Sequence, residues 1–199
     1  MFSRRDDDLL APEDSPVLSD SLLLERVTRG DAASFDALFY RHYDRVYGLL
    51  FRVVGERGEA EDLTQETFLK LHAHATSGRA VTTDENVSAW LYRVALNLGY
   101  NAVRGRRRFW QRNTLLLPEA EPAVEGQVEQ RAQRAAVRAA LARLPERQAK
   151  LLLLRQMGFS YAECAVVCEV APGSIGTLLA RAAEAFRRAY RSVGGEEER

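Results

Sequence analysis

Two amides and two guanidinium groups recur at one spacing in this 199-residue chain. Asn97, Asn101, Arg104 and Arg108 fall at i, i+4, i+7 and i+11, which places them on one face of a helix. Amides suit base edges and guanidinium groups suit phosphates. The stretch Arg104 to Arg112 holds five arginines and no acid, and Phe109 and Trp110 lie inside it. Aromatics beside arginine offer stacking platforms for unpaired bases. Asp62, Gln65, Glu66 and Leu69 share a second helical face at i, i+3, i+4 and i+7. A purely solvated acidic face has little use for a leucine, so this face reads as a partner surface. Near the C-terminus, Ser174, Thr177, Arg181 and Arg188 face outward from a helix that follows a short helix and a tight turn.

Nothing in the chain reads as catalytic. There is no Ser/His/Asp set, phosphate loop or metal-ligand spacing. His42 lies on an apolar stripe and reads as packing. His72 and His74 are two apart and point away from each other on a helix. Cys164 and Cys168 share a helical face but lack the further ligands a zinc site requires, and read as small apolar residues. The expectation is a binding protein with no metal, no cofactor and no enzymatic activity.

Charge supports a nucleic-acid partner. Net charge is +0, with 46% hydrophobic and 28% charged residues, ordinary for a globular chain. The charges are nevertheless segregated. Residues 113–130 carry four Glu and no base, whereas 131–191 carry eleven basic residues against four acids. Two basic zones thus flank an acidic connector. No apolar run approaches the ~20 residues of a membrane helix, and the N-terminus has no secretory pattern. A cytoplasmic protein without membrane insertion is expected.

The elements that must position these residues are all helical, because strand alternation is absent. Residues 1–18 read as a disordered tail and 193–199 as a second tail. The first helix starts near Ser19 or Asp20 and ends at Gly30, and Asp31 caps a longer one to Gly55. Its apolar stripe is Phe35, Leu38, Phe39, Val46, Leu49, Leu50 and Val53. A third helix covers Glu59 to His74, with Ala60, Leu63, Thr67 and Leu71 inward. After a loop at 75–86, a fourth runs from Val87 to Arg108 with Trp90, Leu91, Val94 and Leu98 as its core stripe. Residues 113–127, with Pro118, Pro122 and Gly126, form a flexible acidic linker between domains spanning 19–112 and 128–192. The second domain has helices at Val128–Arg143 and from Pro145 to Gly158. Ser160 then caps Tyr161–Cys168, Glu169-Val170-Ala171 turns, and Pro172 or Gly173 opens a last helix to Arg191. That is a helix-turn-helix, with Ile175, Leu179, Ala182 and Phe186 inward. The fold class is all-α, two small helical domains.

From about Leu22 to Arg191 the chain resembles the extracytoplasmic-function group of the sigma-70 family. Three stretches carry the resemblance: Ala60-Glu61-Asp62-Leu63-Thr64-Gln65-Glu66-Thr67-Phe68-Leu69; Ala89-Trp90-Leu91-Tyr92-Arg93-Val94-Ala95-Leu96-Asn97; and Leu141 to Arg188, with Leu144-Pro145-Glu146-Arg147-Gln148. The resemblance implies that Asp62, Gln65, Glu66 and Leu69 dock on bacterial RNA polymerase core. It implies that Trp90, Arg93, Asn97, Asn101, Arg104, Arg107 and Arg108 melt and hold the −10 element of promoter DNA. It implies that the helix-turn-helix reads the −35 duplex through Ser174, Thr177, Arg181 and Arg188. It also implies an anti-sigma factor as regulator. Two departures stand out. Position 101 is Asn where the family usually has Asp. The recognition helix carries Gly176, Leu178 and Ala180 where the family usually has a Lys and an Arg.

A free-standing helix-turn-helix regulator is the competing reading. It accounts for residues 131–191 but leaves the Asp62/Gln65/Glu66 face and the Asn/Arg helix without purpose. Such a regulator would footprint a palindrome without polymerase.

Overall fold

The computed structural model describes residues 18–77, 86–112 and 127–193. Residues 1–17 and 194–199 of the expected tails, 78–85 of the expected loop and 113–126 of the expected linker lie outside the described residues. Among the described residues there are eight α-helices and no strand. They are α1 (Asp20–Thr28), α2 (Ala32–Val54), α3 (Arg57–Thr76), α4 (Val87–Arg112), α5 (Gln127–Leu141), α6 (Glu146–Gln156), α7 (Tyr161–Cys168) and α8 (Ile175–Ser192).

Side-chain caps set the helix starts. The Ser19 hydroxyl accepts from the Leu22 amide at 3.3 Å, and the Asp31 carboxylate from the Ser34 amide at 3.3 Å. At α7, Ser160 and Glu163 form a reciprocal capping box. Two caps escape the sequence reading. Glu56 accepts from the Gly58 and Glu59 amides, so α3 begins at Arg57 rather than Glu59. Asn86 accepts from the Ala89 amide at 2.9 Å and starts α4. Gly55 closes α2 at φ 79°, a left-handed turn that glycine adopts without steric cost. The fourth helix continues to Arg112, beyond the expected Arg108, and α5 opens at Gln127, one residue inside the expected linker.

α1 to α4 pack around Leu38, Val46, Leu49, Leu50, Phe68, Leu71, Leu91 and Leu96, each at most 2% exposed. On α3 the buried face is Ala60, Thr64, Thr67, Phe68 and Leu71, with Leu63 only half-buried. The two threonine hydroxyls are satisfied by the helix itself, through Ala60 O at 2.7 Å and Leu63 O at 2.8 Å. The stripe on α4 also differs from expectation. Val87, Leu91, Tyr92, Ala95 and Leu96 are buried, while Trp90, Val94 and Leu98 are half-buried. The cause is the close approach of α2. A Cβ added at Gly99 would lie 3.1 Å from Leu50 and from Val53, so this glycine turns its side of α4 inward.

The C-terminal helices pack around Ala140, Leu151, Leu154, Phe159, Cys164, Ile175 and Ala182. Leu179 and Phe186 are half-buried behind them. The apolar cluster is continuous between the two groups of helices: α4 packs on α7, and α2 touches α6.

Candidate nucleic-acid interface

On α3, Asp62, Gln65 and Leu69 are exposed, Leu69 to 68%, and Glu66 is half-buried beside Lys70 at 3.3 Å. The expected four-residue face is therefore presented together, an apolar side chain among acids. A ladder of half-buried aromatics on α2 runs alongside. Tyr43 and Tyr47 stack at 6.2 Å, Tyr47 and Phe51 at 6.0 Å, and Phe39 meets Phe68 of α3 at 4.8 Å.

The α4 face is assembled but occupied. Arg93 donates to Val166 O at 2.9 Å and pairs with Glu169 at 2.9 Å, both across the chain at α7. Asn97 accepts from Lys150 at 2.8 Å. Arg104 bonds Asn101 within its own helix and Glu146 of α6. Tyr92 meets the Phe159 ring edge-on at 4.8 Å, and Arg45 of α2 lies over that ring at 4.6 Å. Arg107 and Arg108 are exposed. Trp90 is half-buried and stacks on His74 at 5.2 Å. Phe109 is 52% exposed, whereas the Trp110 side chain lies outside the described residues. The C-terminal partners Lys150, Glu146 and Glu169 escaped the sequence reading. No local pattern marks a contact between residues more than forty positions apart.

In the C-terminal unit, α7 ends at Cys168, Glu169 follows it at a φ of 53° that turns the chain, and the chain bends by 113° into the last helix. That is the angle of a helix-turn-helix. Residues Pro172–Ser174 form a 3-10 turn, and α8 proper starts at Ile175. This corrects the position of Ser174. It is half-buried at the turn, and its hydroxyl donates to Ala171 O at 2.7 Å. Thr177, Arg181 and Arg188 are exposed, and Arg188 pairs with Glu184 at 2.9 Å.

The buried polar side chains Ser34, His42, Thr64 and Thr67 have structural partners, whereas the buried Gln148 Oε1 accepts no hydrogen bond among the described residues. His42, 7% exposed, shares a 2.7 Å hydrogen bond with Asp20, which Arg41 also holds at 2.5 Å. Burial pushes the Asp20 carboxyl up, but the bonds from His42 and Arg41 outweigh it and leave the group below the usual carboxylate range. His42 thus ties α2 to the start of α1, more than the apolar packing its position suggests. Burial raises both thiols, Cys168 to about 11, which disfavours the reactive thiolate. Among the described residues no group of three His, Cys, Asp or Glu side chains could hold a metal, and no single helix is long and apolar enough to cross a membrane.

The fold and its exposed faces define a helix-turn-helix protein coupled to a second helical unit with an Asn/Arg helix. Comparisons with known proteins carry this further. Residues 38–109 match Sigma-70 region 2 and residues 134–186 match Sigma-70, region 4. The chain is 32% identical over 191 residues to the RNA polymerase sigma-H factor of Pseudomonas aeruginosa, covering 87% of this chain and 95% of that one. It is 33% identical to the ECF RNA polymerase sigma factor SigM of Mycobacterium tuberculosis, over 82% of this chain and 81% of that one. CnrH, solved with the cytosolic domain of CnrY, has a similar fold: TM-score 0.65 at 20% identity over 87% and 97% of the two chains. RpoE from Bartonella quintana, solved with the anti-sigma factor NepR, gives 0.53 at 25% identity over 79% and 96%. The chain belongs to the sigma-70 family, in its extracytoplasmic-function group. It binds RNA polymerase core and serves promoter recognition in transcription initiation.

Proposed function

We propose a division of labour within that activity. The domain at 19–112 docks on polymerase through Asp62, Gln65, Glu66 and Leu69, and captures the −10 element through Trp90, Arg93, Asn97, Asn101, Arg104, Arg107 and Arg108. The domain at 128–192 reads the −35 duplex through Thr177, Arg181 and Arg188, with Ser174 shaping the turn. The residues between them act as a linker. The chain contributes binding and no covalent chemistry, and works in the cytoplasm. The observation that carries this reading is the exposure of Leu69 at 68% within an otherwise polar face. An isolated apolar side chain among acids is what a docking surface leaves uncovered before its partner arrives.

The closed packing adds a condition. Arg93, Asn97 and Arg104 are bonded to Glu169, Lys150 and Glu146. DNA must displace those groups, so the free chain binds promoter DNA weakly and polymerase docking favours the open arrangement. An anti-sigma factor that holds the two domains together would keep these side chains masked. The NepR complex of RpoE supports such a partner class.

The test is reconstitution. Purified polymerase core plus this chain gives a discrete transcript from the fragment upstream of its own operon. Asp62→Ala and Gln65→Ala reduce core affinity in a pull-down while the helical circular-dichroism signal stays unchanged. Absence of any transcript, together with a palindromic footprint by the chain alone, overturns the reading in favour of a free-standing regulator.

A further inference from the structure

The 3-10 turn and the first two turns of α8 present an almost uncharged surface. Gly173, Gly176, Thr177 and Ala180 are exposed and small, and Arg181 is the one cation among residues 172–181. A duplex laid on this face can approach the backbone closely, but a single guanidinium supplies little of the phosphate neutralisation on which duplex affinity rests.

A second cation stands on the same face and comes from another helix. Arg155 lies at the end of α6 and is exposed. Its guanidinium sits 5.1 Å from the centroid of the Tyr161 ring and donates to Phe159 O. Tyr161 is the first residue of α7 and is 51% exposed. Its ring edge lies 4.0 Å from where a Cβ at Gly176 would stand. Arg155, Tyr161 and the first turn of α8 therefore form one continuous surface. In a helix-turn-helix, the start of the first helix lies against the DNA backbone while the start of the second meets the bases. No carboxylate among the described residues pairs with Arg155. A guanidinium held on a ring keeps its remaining N–H donors for a phosphate and loses little conformational freedom on contact.

We infer that Arg155, positioned by the face of Tyr161, is a phosphate-binding residue of the −35 duplex interface, adding from α6 to the single charge, Arg181, that the first two turns of the recognition helix carry. This inference rests on the reading of α7 and α8 as the duplex-binding unit. Arg155 contributes affinity without sequence preference, and the small surface of Gly176, Thr177 and Ala180 is left to meet the base edges.

The test uses the full chain assembled with polymerase core, on a promoter-bearing fragment and on an unrelated duplex of equal length, titrated with salt. Arg155→Ala lowers the slope of log affinity against log salt by about one and weakens both duplexes alike. Tyr161→Leu gives a comparable loss and Tyr161→Phe does not. Arg155→Ala adds little in the Tyr161→Leu background, because the two act as one unit. Arg181→Ala serves as the reference. If it weakens binding while Arg155→Ala leaves slope and affinity unchanged, the Arg155 assignment is overturned and the duplex reading stands. If neither change has any effect on variants with wild-type melting behaviour, the duplex reading of α7 and α8 falls, and Arg155 with it.

Discussion

Glu169 joins two effects that substitution can separate. It is a non-glycine residue in the left-handed region, at φ 53° and ψ 51°, and its carboxylate pairs with Arg93 at 2.9 Å. The left-handed conformation costs an L-residue about 1–2 kcal/mol. The ion pair joins side chains that are 33% and 68% exposed, so solvent screening limits it to about 0.2–1 kcal/mol. The first quantity belongs to the folding of the α7–α8 unit and the second to the closure of α7 on α4. Glu169→Gly removes both. It raises the melting temperature of the C-terminal unit by about 4–8 °C for each kcal/mol of relieved strain in a unit of this size, and it raises the open population by about 1.4–5-fold. Glu169→Ala keeps the strained backbone and removes only the pair, so it opens the molecule to the same degree without the thermal gain. Calorimetry reads the first effect. Energy transfer between fluorophores on α1 and α8 reads the second, and the change shrinks in high salt as screening weakens the wild-type pair. Equal melting temperatures for the Gly and Ala variants would refute the strain argument. An unchanged distance distribution in both would refute the clasp.

Two further outcomes are expected. Gly99→Ala and Gly176→Ala have opposite signs although both glycines are helical. At Gly99 the new Cβ meets Leu50 and Val53 at 3.1 Å, and overpacking of about 1–3 kcal/mol exceeds the helix-propensity gain of about 1 kcal/mol. At Gly176 the Cβ only touches the Tyr161 ring at 4.0 Å, so the propensity gain stands alone. Urea unfolding distinguishes them, and a stabilised Gly99→Ala would count against the tight α2–α4 approach. Asp20→Asn alters the acid limb of the stability curve. Because the folded-state pKa of Asp20 is lowered, its contribution is present above the unfolded value of about 3.9 and is lost as pH falls through the folded value. The wild type is therefore more stable than the variant at neutral pH, and the gap closes in acid. A gap that stays constant to the lowest accessible pH would contradict the roles of His42 and Arg41.

What could be read in advance was local. Ser19, Asp31 and Ser160 cap their helices because a side-chain oxygen three residues from an orphan amide needs no distant partner. The Asp62/Gln65/Leu69 face lies exposed because its 3.6-residue periodicity is opposite to that of Ala60, Thr64, Thr67 and Leu71. The helix-turn-helix was visible for the same reason: cap, turn length and apolar spacing all lie within about thirty residues.

Tertiary structure decided matters that depend on which helix meets which. On α4, two neighbouring stripes are both apolar. Gly99 lets α2 come close, and that approach, not periodicity, buried Tyr92, Ala95 and Leu96 in place of Trp90, Val94 and Leu98. His42 looked like packing until α1 brought Asp20 to within 2.7 Å. The candidate nucleic-acid face shows the same division. Sequence by itself determined that Asn97, Asn101 and Arg104 share a side of one helix, because backbone geometry enforces it. That Lys150, Glu146 and Glu169 occupy that side, and that Arg155 lies on the ring of Tyr161 beside Gly176, follows only from three-dimensional packing. Charges many residues apart in the chain find one another through space, and helical periodicity carries no information about which of them will meet.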